Sequence, residues 1–337
     1  MCVLSSWPVP LYLVGGAVRD LLLGQEAKDR DVCSSLLPTQ VVEWCNHHSI
    51  KCEVTNESHL VVTLWINGEA IEHTTFRREF SCDGVHAQVE PSTLHQDLHR
   101  RDLTINGLAI EWGSNQVVDL VGGLSDLENK QLRLISSETY GFEFDRLWEH
   151  GGRLFRLARF ASSKFSGWSI HPDTLAACQK FSPLVFSENR GKWESFCEEW
   201  AKADFCWEYL NVLDTFGFLS AHGLTLPNKD SFSQEHPWFS LWSASGKPDL
   251  RVFQTQWKLS KDVFLSIHDL EVGASIEHEW EWRTSKFRRL HAKDVASFWG
   301  QSFRELHIPT QGEIALEVGS GAHVVPEWVK RVKEVYS

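Results

Sequence analysis

The sequence lacks the features of membrane proteins, secreted proteins and zinc proteins. No window approaches the roughly 18 consecutive apolar residues that a membrane helix needs, and the N-terminal segment 1–10 has no basic stretch followed by an apolar run. The eight cysteines form neither a CxxC pair nor a Cys/His cluster with zinc-site spacing. We therefore expect a cytoplasmic protein with reduced cysteines, no signal peptide and no membrane partner.

The chain also has fewer basic than acidic side chains, 33 against 45, which gives a net charge of −12. Nucleic-acid binding depends on Lys and Arg contacts to phosphate, so this balance weakly disfavours an RNA or DNA partner. Net charge describes solubility more than it describes any local surface. The basic residues do cluster, at 77–78, 100–101, 146–159, 286–289 and 330–333. A basic channel on an acidic molecule therefore remains compatible with the sequence.

The first part of the chain predicts an α/β arrangement. A strand is predicted at 11–14, followed by a Gly15-Gly16 turn and a short helix at 17–23; a second strand begins near 28–32. The β-rich runs around Asn67-Gly68 predict a hairpin, and a second hairpin is predicted around 113–115. Residues 81–92 lack periodicity and predict a loop.

From residue 144 onward the pattern becomes helical. Leu147, Leu154, Leu157 and Phe165 fall at the spacing of one amphipathic helix, and further helices are predicted at 193–203 and 207–216. The length predicts roughly two domains, at about 150 residues each, and we place the change near residue 137. The predicted fold class is α+β, with an N-terminal α/β domain built on a small mixed sheet and a mostly α-helical remainder.

Two carboxylates, Asp29 and Asp31, follow the glycine turn, whose open backbone suits a phosphate group. In an extended segment, side chains at i and i+2 share one face. Neighbouring carboxylates repel unless a cation lies between them, and Mg²⁺ commonly takes one or two carboxylates plus substrate phosphates. A solvated acidic turn is the alternative interpretation. Glu72, on the second strand of the hairpin, is either a third carboxylate of this site or an outward-facing strand residue.

Four blocks of sequence together carry a resemblance to a known family. They are LVGGAVRDLLLG followed by DRD, then IEHTTFR, then DLHRRDLTINGLAI, then DLVGGLSDLENKQLR. In this order they resemble the bacterial-type (class II) family of tRNA nucleotidyltransferases and poly(A) polymerases, which includes the CCA-adding enzymes. The resemblance runs from about residue 11 to about residue 175. A Rossmann dinucleotide site is disfavoured because GGAVRD lacks the third glycine of that fingerprint.

The resemblance implies three domains and one activity. It implies a catalytic head at 1–137, a helical neck with a base-recognition helix at 138–215, and a helical, RNA-binding body and tail at 216–337. The implied activity is template-independent addition of CCA, or part of it, to the 3′ end of tRNA. CTP and ATP would be the nucleotide partners, Mg²⁺ the cofactor and pyrophosphate the product, and no DNA partner is expected.

The residues that match the family's motifs acquire roles by this resemblance. Asp29 and Asp31 match the aspartates that hold the catalytic metal ions, and Glu72 matches an acidic residue beside them. The nucleotide-binding matches are Gly15, Gly16 and Arg19 on the phosphate side, Arg100 and Arg101 near the triphosphate, Asp102 at the ribose hydroxyl, Asn106, which orders this segment, and Glu149, His150, Arg153 and Arg156 at the start of the base-recognition helix. Taken alone, these arginine-rich stretches also fit surface ion pairs and a solvated helix face.

The base-recognition block departs from the family pattern at two points. WEHGGRLFRLARFA resembles EDPxRxxRxxRF, but His150 stands where the family has Asp, and Gly151-Gly152 stands where it has Pro-x. An ionised Asp only accepts hydrogen bonds, whereas neutral His offers one donor and one acceptor. Loss of the Asp cap and of the proline predicts a looser helix start. The sequence therefore leaves open which bases are added. The outcome is an altered nucleotide preference, partial addition of CC or A, or reduced activity.

Two alternatives to a CCA-adding enzyme remain at this point. A poly(A) polymerase would use the same chemistry to make another product, and the sequence does not separate the two. A catalytically inert RNA-binding homologue belongs to a different class. The intact Asp29, Asp31, Arg101 and Asp102 disfavour the inert homologue, whereas His150 slightly favours it.

Overall fold

The computed structural model describes residues 2–27, 30–82, 87–136, 143–186, 193–259 and 261–275. The chain divides into two compact units, Met1–Gly223 and Leu224–Ser337. The strands are β1 (Tyr12–Val14), β2 (Asp31–Ser34), β3 (Lys51–Asn56), β4 (Val61–Ile66), β5 (Glu69–Thr75), β6 (Arg77–Cys82), β7 (Ala87–Pro91), β8 (Leu108–Glu111), β9 (Val117–Asp119), β10 (Gln131–Leu132) and β11 (Ser169–Ile170). The helices are α1 (Gly16–Leu22), α2 (Pro38–His47), α3 (Leu94–His99), α4 (Gly123–Glu128), α5 (Glu143–Glu149), α6 (Gly152–Ser162), α7 (Pro172–Phe181), α8 (Trp193–Ala201), α9 (Cys206–Thr215), α10 (Phe218–Ala221), α11 (Pro237–Ala244), α12 (Leu250–Gln256) and α13 (Lys261–Ser275).

The first unit is built on a seven-stranded mixed sheet with the order β3-β4-β5-β2-β1-β8-β9. β2 and β5 pair in parallel, and the other neighbours are antiparallel. A core cluster of Val14, Cys33, Phe76, Leu98 and Ala109 packs on the central strands. The N-terminal sheet and the helices that follow it confirm the predicted α+β fold class.

Both predicted hairpins are present. β4 and β5 are joined by Asn67 and Gly68, whose φ angles of 53° and 85° are both left-handed. A two-residue hairpin loop of this kind needs positive φ at both positions, which Asn and Gly adopt most readily. The second hairpin joins β8 to β9, as predicted.

The prediction of a loop at 81–92 is wrong for the residues that the structure describes there. β6 and β7 pair as an antiparallel ribbon, with Arg77 opposite Pro91 and Arg78 ion-paired to Glu90. Pro91 is tolerated because it ends its strand, where no further ladder hydrogen bond is required of its nitrogen. Residues 83–86 lie outside the described part of the chain.

The amphipathic helix predicted from Leu147 to Phe165 is divided in two. α5 ends at Glu149, and α6 begins at Gly152 with Gly151 as a cap that offers no side-chain hydrogen bond. The break falls at the two glycines that replace Pro-x of the family pattern. Residues of α6 that face inward, including Leu154, Phe155 and Leu157, are fully or almost fully buried.

The second unit contributes a small helical core around α11, α12 and α13. Leu241, Trp242, Phe253, Ile267 and Leu270 are buried there, and Trp242 Nε1 donates a hydrogen bond to the carbonyl oxygen of Pro248. Among the described residues, no helix has the length and apolar character required to cross a membrane.

Candidate active site

A cavity of about 760 Å³ in the first unit is lined by the glycine turn, the sheet, the segment after α3, and one face each of α6 and α8. The residues that line it are Val14, Gly15, Gly16, Arg19, Asp31, Glu72, Thr74, Arg77, Glu79, Arg100, Arg101, Asp102, Asn106, His150, Gly152, Arg153, Arg156, Arg159, Phe160, Ser195, Glu198, Glu199 and Lys202. The cavity is therefore bordered by eight arginine or lysine side chains and six carboxylates.

The glycine turn leaves room for a guanidinium beside the backbone. Gly15 has a φ of 70° and donates its N–H to the carbonyl oxygen of Leu108. A Cβ at Gly15 would lie 2.8 Å from Nη1 of Arg101, closer than side-chain atoms approach a real Cβ. The left-handed backbone conformation thus favours glycine at this position, and a larger residue would also displace the end of the Arg101 side chain.

Asp31 and Glu72 lie side by side at the edge of the cavity. They are register partners on the parallel strands β2 and β5, where neighbouring backbones are about 4.8 Å apart. Two carboxylates on adjacent strands supply oxygen donors of the kind that suit Mg²⁺ together with substrate phosphates. Asp29 lies outside the described residues, and within those residues no group of three or more Asp, Glu, His or Cys side chains is placed to hold a metal.

A buried carboxylate anchors the arginines on one wall. Asp97 is 0% exposed, and its oxygens accept hydrogen bonds from the side chains of Arg100 and Arg101 and from the backbone N–H of Arg77. Burial opposes ionisation of Asp97, but the two guanidiniums outweigh it and hold the pKa of this carboxyl below its usual value. Burial, reinforced by the charge of Arg100, lowers the pKa of Arg77 to about 10.

A chain of hydrogen bonds connects the glycine turn to α6. Arg19 bonds to Asp20 and donates to the side-chain oxygen of Asn106, whose amide in turn donates to Asp102 at 2.9 Å. Asp102 Oδ1 also accepts the N–H of Leu103, and Oδ2 accepts from Nη1 of Arg156 at 3.2 Å. Burial of Asp102 opposes its charge, but Arg156 and Asn106 keep its pKa below the usual value. Asp102 is therefore an ionised acceptor held on the cavity wall.

Arg153 is fixed by several acceptors at once. Its Nη1 donates to the carbonyl oxygen of Arg146 at 2.9 Å, and its Nη2 donates to the carbonyl oxygen of Arg100 at 3.0 Å and to Glu79 at 3.4 Å. Glu149 does not line the cavity; it pairs with Arg146 at 2.8 Å and lies 3.6 Å from Arg153. Glu149 thus supports the start of α6 from outside the cavity.

His150 lines the cavity as a neutral side chain. Burial, followed by the charge of neighbouring Arg153, lowers its pKa to about 4. Its buried Nδ1 has no hydrogen-bond partner within the described part of the chain. The imidazole lies against the start of α6, where a Cβ at Gly152 would be at van der Waals contact, 3.4 Å from the ring. His150 therefore borders the cavity with one buried ring nitrogen that lacks a hydrogen-bond partner among the described residues.

The structure brings most of the predicted site residues together. Gly15, Gly16, Arg19, Asp31, Glu72, Arg100, Arg101, Asp102, Asn106, His150, Arg153 and Arg156 all line the one cavity. Glu149 lies beside it, and Asp29 is outside the described residues. Asp31 and Glu72 are neighbours because β2 and β5 pair in parallel.

Sequence reasoning missed part of the wall that α8 and β6 supply. Glu199 is buried and accepts a hydrogen bond from Nε of Arg159, while Nε of Arg156 lies 4.0 Å away. Glu79, on β6, approaches Arg153 and Arg100. Two adjacent acids at 198–199 within a helix were the only local signal for this wall. Their partners lie about 40 residues earlier in the chain, at Arg156 and Arg159.

Comparison with known proteins gives a consistent family. Residues 11–133 match the Poly A polymerase head domain. The CCA-adding enzyme of Levilactobacillus brevis is 35% identical over 178 residues, which are 52% of this chain and 42% of that enzyme. The CCA-adding enzyme of Geobacillus kaustophilus is 31% identical over 75% of this chain and 63% of its own length. The chain thus spans less than two thirds of each of these two relatives.

The fold also matches solved structures. The crystal structure of the Bacillus stearothermophilus CCA-adding enzyme in complex with CTP is 25% identical, with a TM-score of 0.65, and the match covers 98% of this chain and 89% of that one. A CCA-adding enzyme in apo form II, at 18% identity and a TM-score of 0.70, shares the fold. The head-domain match, the relatives and the shared fold agree: residues 11–133 belong to the Poly A polymerase head domain family, and the chain is similar to CCA-adding enzymes.

Proposed function

We propose that this chain is a cytoplasmic, Mg²⁺-dependent tRNA nucleotidyltransferase that adds CCA, or part of it, to tRNA 3′ ends from CTP and ATP and releases pyrophosphate. The observation that carries the proposal is a single cavity that contains an open glycine turn, two adjacent carboxylates, a wall of arginines and an ionised Asp102. CCA-adding enzymes among its relatives, and a solved structure of one in complex with CTP, support the same substrates.

The proposed domains follow the family: a head at 1–137, a neck at 138–215, and a body and tail at 216–337 that bind the RNA. Within the head and neck, each group of predicted site residues has its own task in the proposed site. Asp31 and Glu72, with Asp29, would hold divalent cations, which when bound neutralise charge on the attacking 3′-oxygen and on the phosphates. Asp31 and Glu72 fit this task because both are carboxylates at the cavity edge.

The remaining groups position the nucleotide. Gly15, Gly16 and Arg19 form the phosphate-side turn, and Arg100 and Arg101 face the triphosphate. Asp102 accepts the hydrogen bond of a ribose 2′-OH, which selects ribonucleotides, because Oδ2 retains a lone pair beside Arg156. Asn106 holds Asp102 in place. The cavity thus contributes orientation and charge, which dominate phosphoryl-transfer catalysis.

The base edge faces His150 and Arg153 at the start of α6. Arg153 is held by backbone carbonyls and by Glu79, so its direction does not depend on the nucleotide. Glu149 supports Arg153, and Arg156 connects the base wall to Asp102. Protein side chains would therefore make the contacts to the incoming base that a template base makes in other polymerases.

Incorporation assays on three RNA ends test the proposal. The full chain and Mg²⁺ are mixed with tRNAs that end before CCA, after C or after CC, and each labelled NTP is supplied separately. Sequential CTP and ATP incorporation that stops after CCA supports the proposal. A long A tail indicates a poly(A) polymerase, and no incorporation indicates an inert RNA-binding homologue.

Two substitutions test the carboxylates. Asp31→Asn and Glu72→Gln should each lower turnover roughly 100-fold or more, since each removes a charge at the reacting centre, while tRNA binding persists. Glu69→Gln is the matched control, because Glu69 lies on β5 with Glu72 but pairs with Arg30 away from the cavity. Full turnover in Asp31→Asn would refute the metal assignment.

A further inference from the structure

Asp97 is absent from the cavity wall, yet it contacts three arginines that line it. It lies on α3, is 0% exposed, and both of its oxygens are occupied. Oδ1 accepts from Nε and Nη2 of Arg100 at 3.1 and 2.9 Å and from the backbone N–H of Arg77 at 3.3 Å. Oδ2 accepts from Nη2 of Arg101 at 2.9 Å. A buried carboxylate with this many donors is a fixed point in the structure.

These contacts set the direction of Arg101. A guanidinium is planar and rigid, so holding one edge determines where the other edge points. With Nη2 on Asp97, Nη1 of Arg101 lies against the glycine turn, 2.8 Å from the point where a Cβ of Gly15 would be. The Nε atom of Arg101 is buried and has no hydrogen-bond partner within the described part of the chain. Arg101 therefore spans from Asp97 to the open backbone of Gly15.

Asp97 also keeps like charges together. The side chains of Arg100 and Arg101 are only 16% and 17% exposed, and Arg77 lies on the same wall. Partly buried guanidiniums repel one another and would separate without a carboxylate between them. Asp97 and Glu79 together carry two negative charges against the three positive charges of Arg77, Arg100 and Arg101, so this wall stays positive and still attracts an anion.

We propose that Asp97 is a positioning residue for the triphosphate: it holds Arg100 and Arg101 side by side so that their outer edges meet the phosphates of the incoming nucleotide. Asp97 itself does not touch the substrate. This proposal rests on the proposed function, because the anion at this wall is the triphosphate of an NTP.

Asp97→Asn tests the proposal with two readouts. The asparagine keeps the shape of the side chain but loses its charge and one acceptor. We expect KM for CTP and ATP to rise about 10-fold, with KM for tRNA unchanged, because the loss of charge weakens the hydrogen bonds from the guanidiniums of Arg100 and Arg101. Calorimetry with inorganic tripolyphosphate should show a matching loss of affinity. Asp126→Asn is the matched control, since Asp126 is also buried in the head but accepts from Thr104 away from the cavity.

A double-mutant cycle separates positioning from general stability. If Asp97 acts through Arg101, Asp97→Asn should weaken tripolyphosphate binding much less in an Arg101→Met background than in the wild type. The same loss in both backgrounds would show that Asp97 does not act through Arg101. If Asp97→Asn does not fold, Arg101→Lys takes its place. Lysine keeps the charge but lacks the second edge, and unchanged tripolyphosphate affinity in that variant would overturn the proposal.

The two levels of inference fail in different ways. A wild-type chain that incorporates no nucleotide and binds no tripolyphosphate contradicts the proposed function. A wild type that does both, together with an Asp97→Asn variant that matches it in KM and in tripolyphosphate affinity, leaves the proposed function intact and removes only the role of Asp97.

Discussion

The His150 side chain is buried beside Arg153 and is neutral at physiological pH, with a pKa of about 4. A neutral imidazole can accept from the amino group of cytosine or, in its other tautomer, donate to the keto oxygen of uracil. A carboxylate in the same place would repel that keto oxygen. We therefore propose that residue 150 determines how strictly the site distinguishes amino from keto bases.

His150→Asp should raise the preference for CTP over UTP by roughly 10-fold, because an acceptor-only group restores repulsion of the keto oxygen. Competition between labelled CTP and UTP on a tRNA that ends before CCA measures the ratio. His95→Asp, which adds the same charge at an exposed histidine, is the control. The wild-type ratio should not change between pH 8 and pH 6, since His150 protonates only near pH 4; a ratio that moves over this range would contradict the neutral assignment.

Single residues also show how far sequence reasoning reaches. Gly15, Asp102 and Arg153 were identified because each occupies a fixed place in a short motif. Glu79 and Glu199 were not, because nothing in their immediate sequence indicates a partner. Glu149 was matched by its position in the motif, but its side chain bonds to Arg146 and does not line the cavity. A motif gives the order of side chains, whereas their direction depends on what surrounds them.

At the scale of elements, α6 and α8 are joined through a buried acid. Glu199 of α8 is only 7% exposed, accepts from Arg159 of α6 and lies within reach of Arg156 and Lys202. Arg156 in turn bonds to Asp102 of the head. The position of α8 is thus coupled to the residue proposed to read the ribose.

Glu199→Gln should lower the free energy of unfolding by roughly 1–3 kcal/mol, because a charge-assisted hydrogen bond to Arg159 becomes neutral while the arginines stay partly buried. Hydrogen exchange in peptides that cover α6 and α8 measures the loss, which should be greatest there. Glu194→Gln, at an exposed position of the same helix, should change exchange little. Equal exchange in the two variants would show that Glu199 does not hold α8 to α6.

Whole-molecule charge hides the character of the site. The chain carries a net charge of −12, yet eight arginine or lysine side chains border one cavity with six carboxylates. The net charge of the chain is therefore not an argument against an RNA partner, because phosphate contacts depend on the local charge of a surface and not on the net charge of the whole chain.

The acid stability of the first unit should depend on His73. This residue is 0% exposed, bonds to Ser34 and packs against Trp7, and burial lowers its pKa to about 3. Because the pKa of His73 is lower in the folded chain, the unfolded chain binds a proton at pH values where the folded chain does not. The stability contribution is therefore complete above pH 6.5 and is lost as the pH falls toward 3, by up to about 1.4 kcal/mol for each pH unit.

His73→Gln should flatten this decline between pH 6.5 and pH 4.5, because glutamine does not titrate. Hydrogen exchange of peptides that cover β4 and β5, corrected for the intrinsic rate at each pH, measures the slope. His95→Gln removes a histidine whose ring stays at the surface and should leave the slope as in the wild type. A wild-type slope in His73→Gln would show that other groups cause the acid sensitivity.

The sequence by itself determined the features that depend on near neighbours. The Asn67-Gly68 hairpin, the Gly15-Gly16 turn, and the helices predicted at 193–203 and 207–216 follow from local backbone preference and from the period of apolar residues. It also gave the α+β class, since the pattern changes once along the chain. The strands β6 and β7 were missed because residues 81–92 lack the alternating pattern of a strand, although the two segments pair with each other.

Only the tertiary structure decided which of these residues meet. The parallel pairing of β2 with β5 places Asp31 beside Glu72, and the packing of α8 on α6 brings Glu199 to arginines about 40 residues away. The fixed directions of Arg101 and Arg153 depend on Asp97, on Glu79 and on distant carbonyls. Such contacts arise from packing and charge pairing among segments far apart in the chain, and no short window of sequence contains both partners.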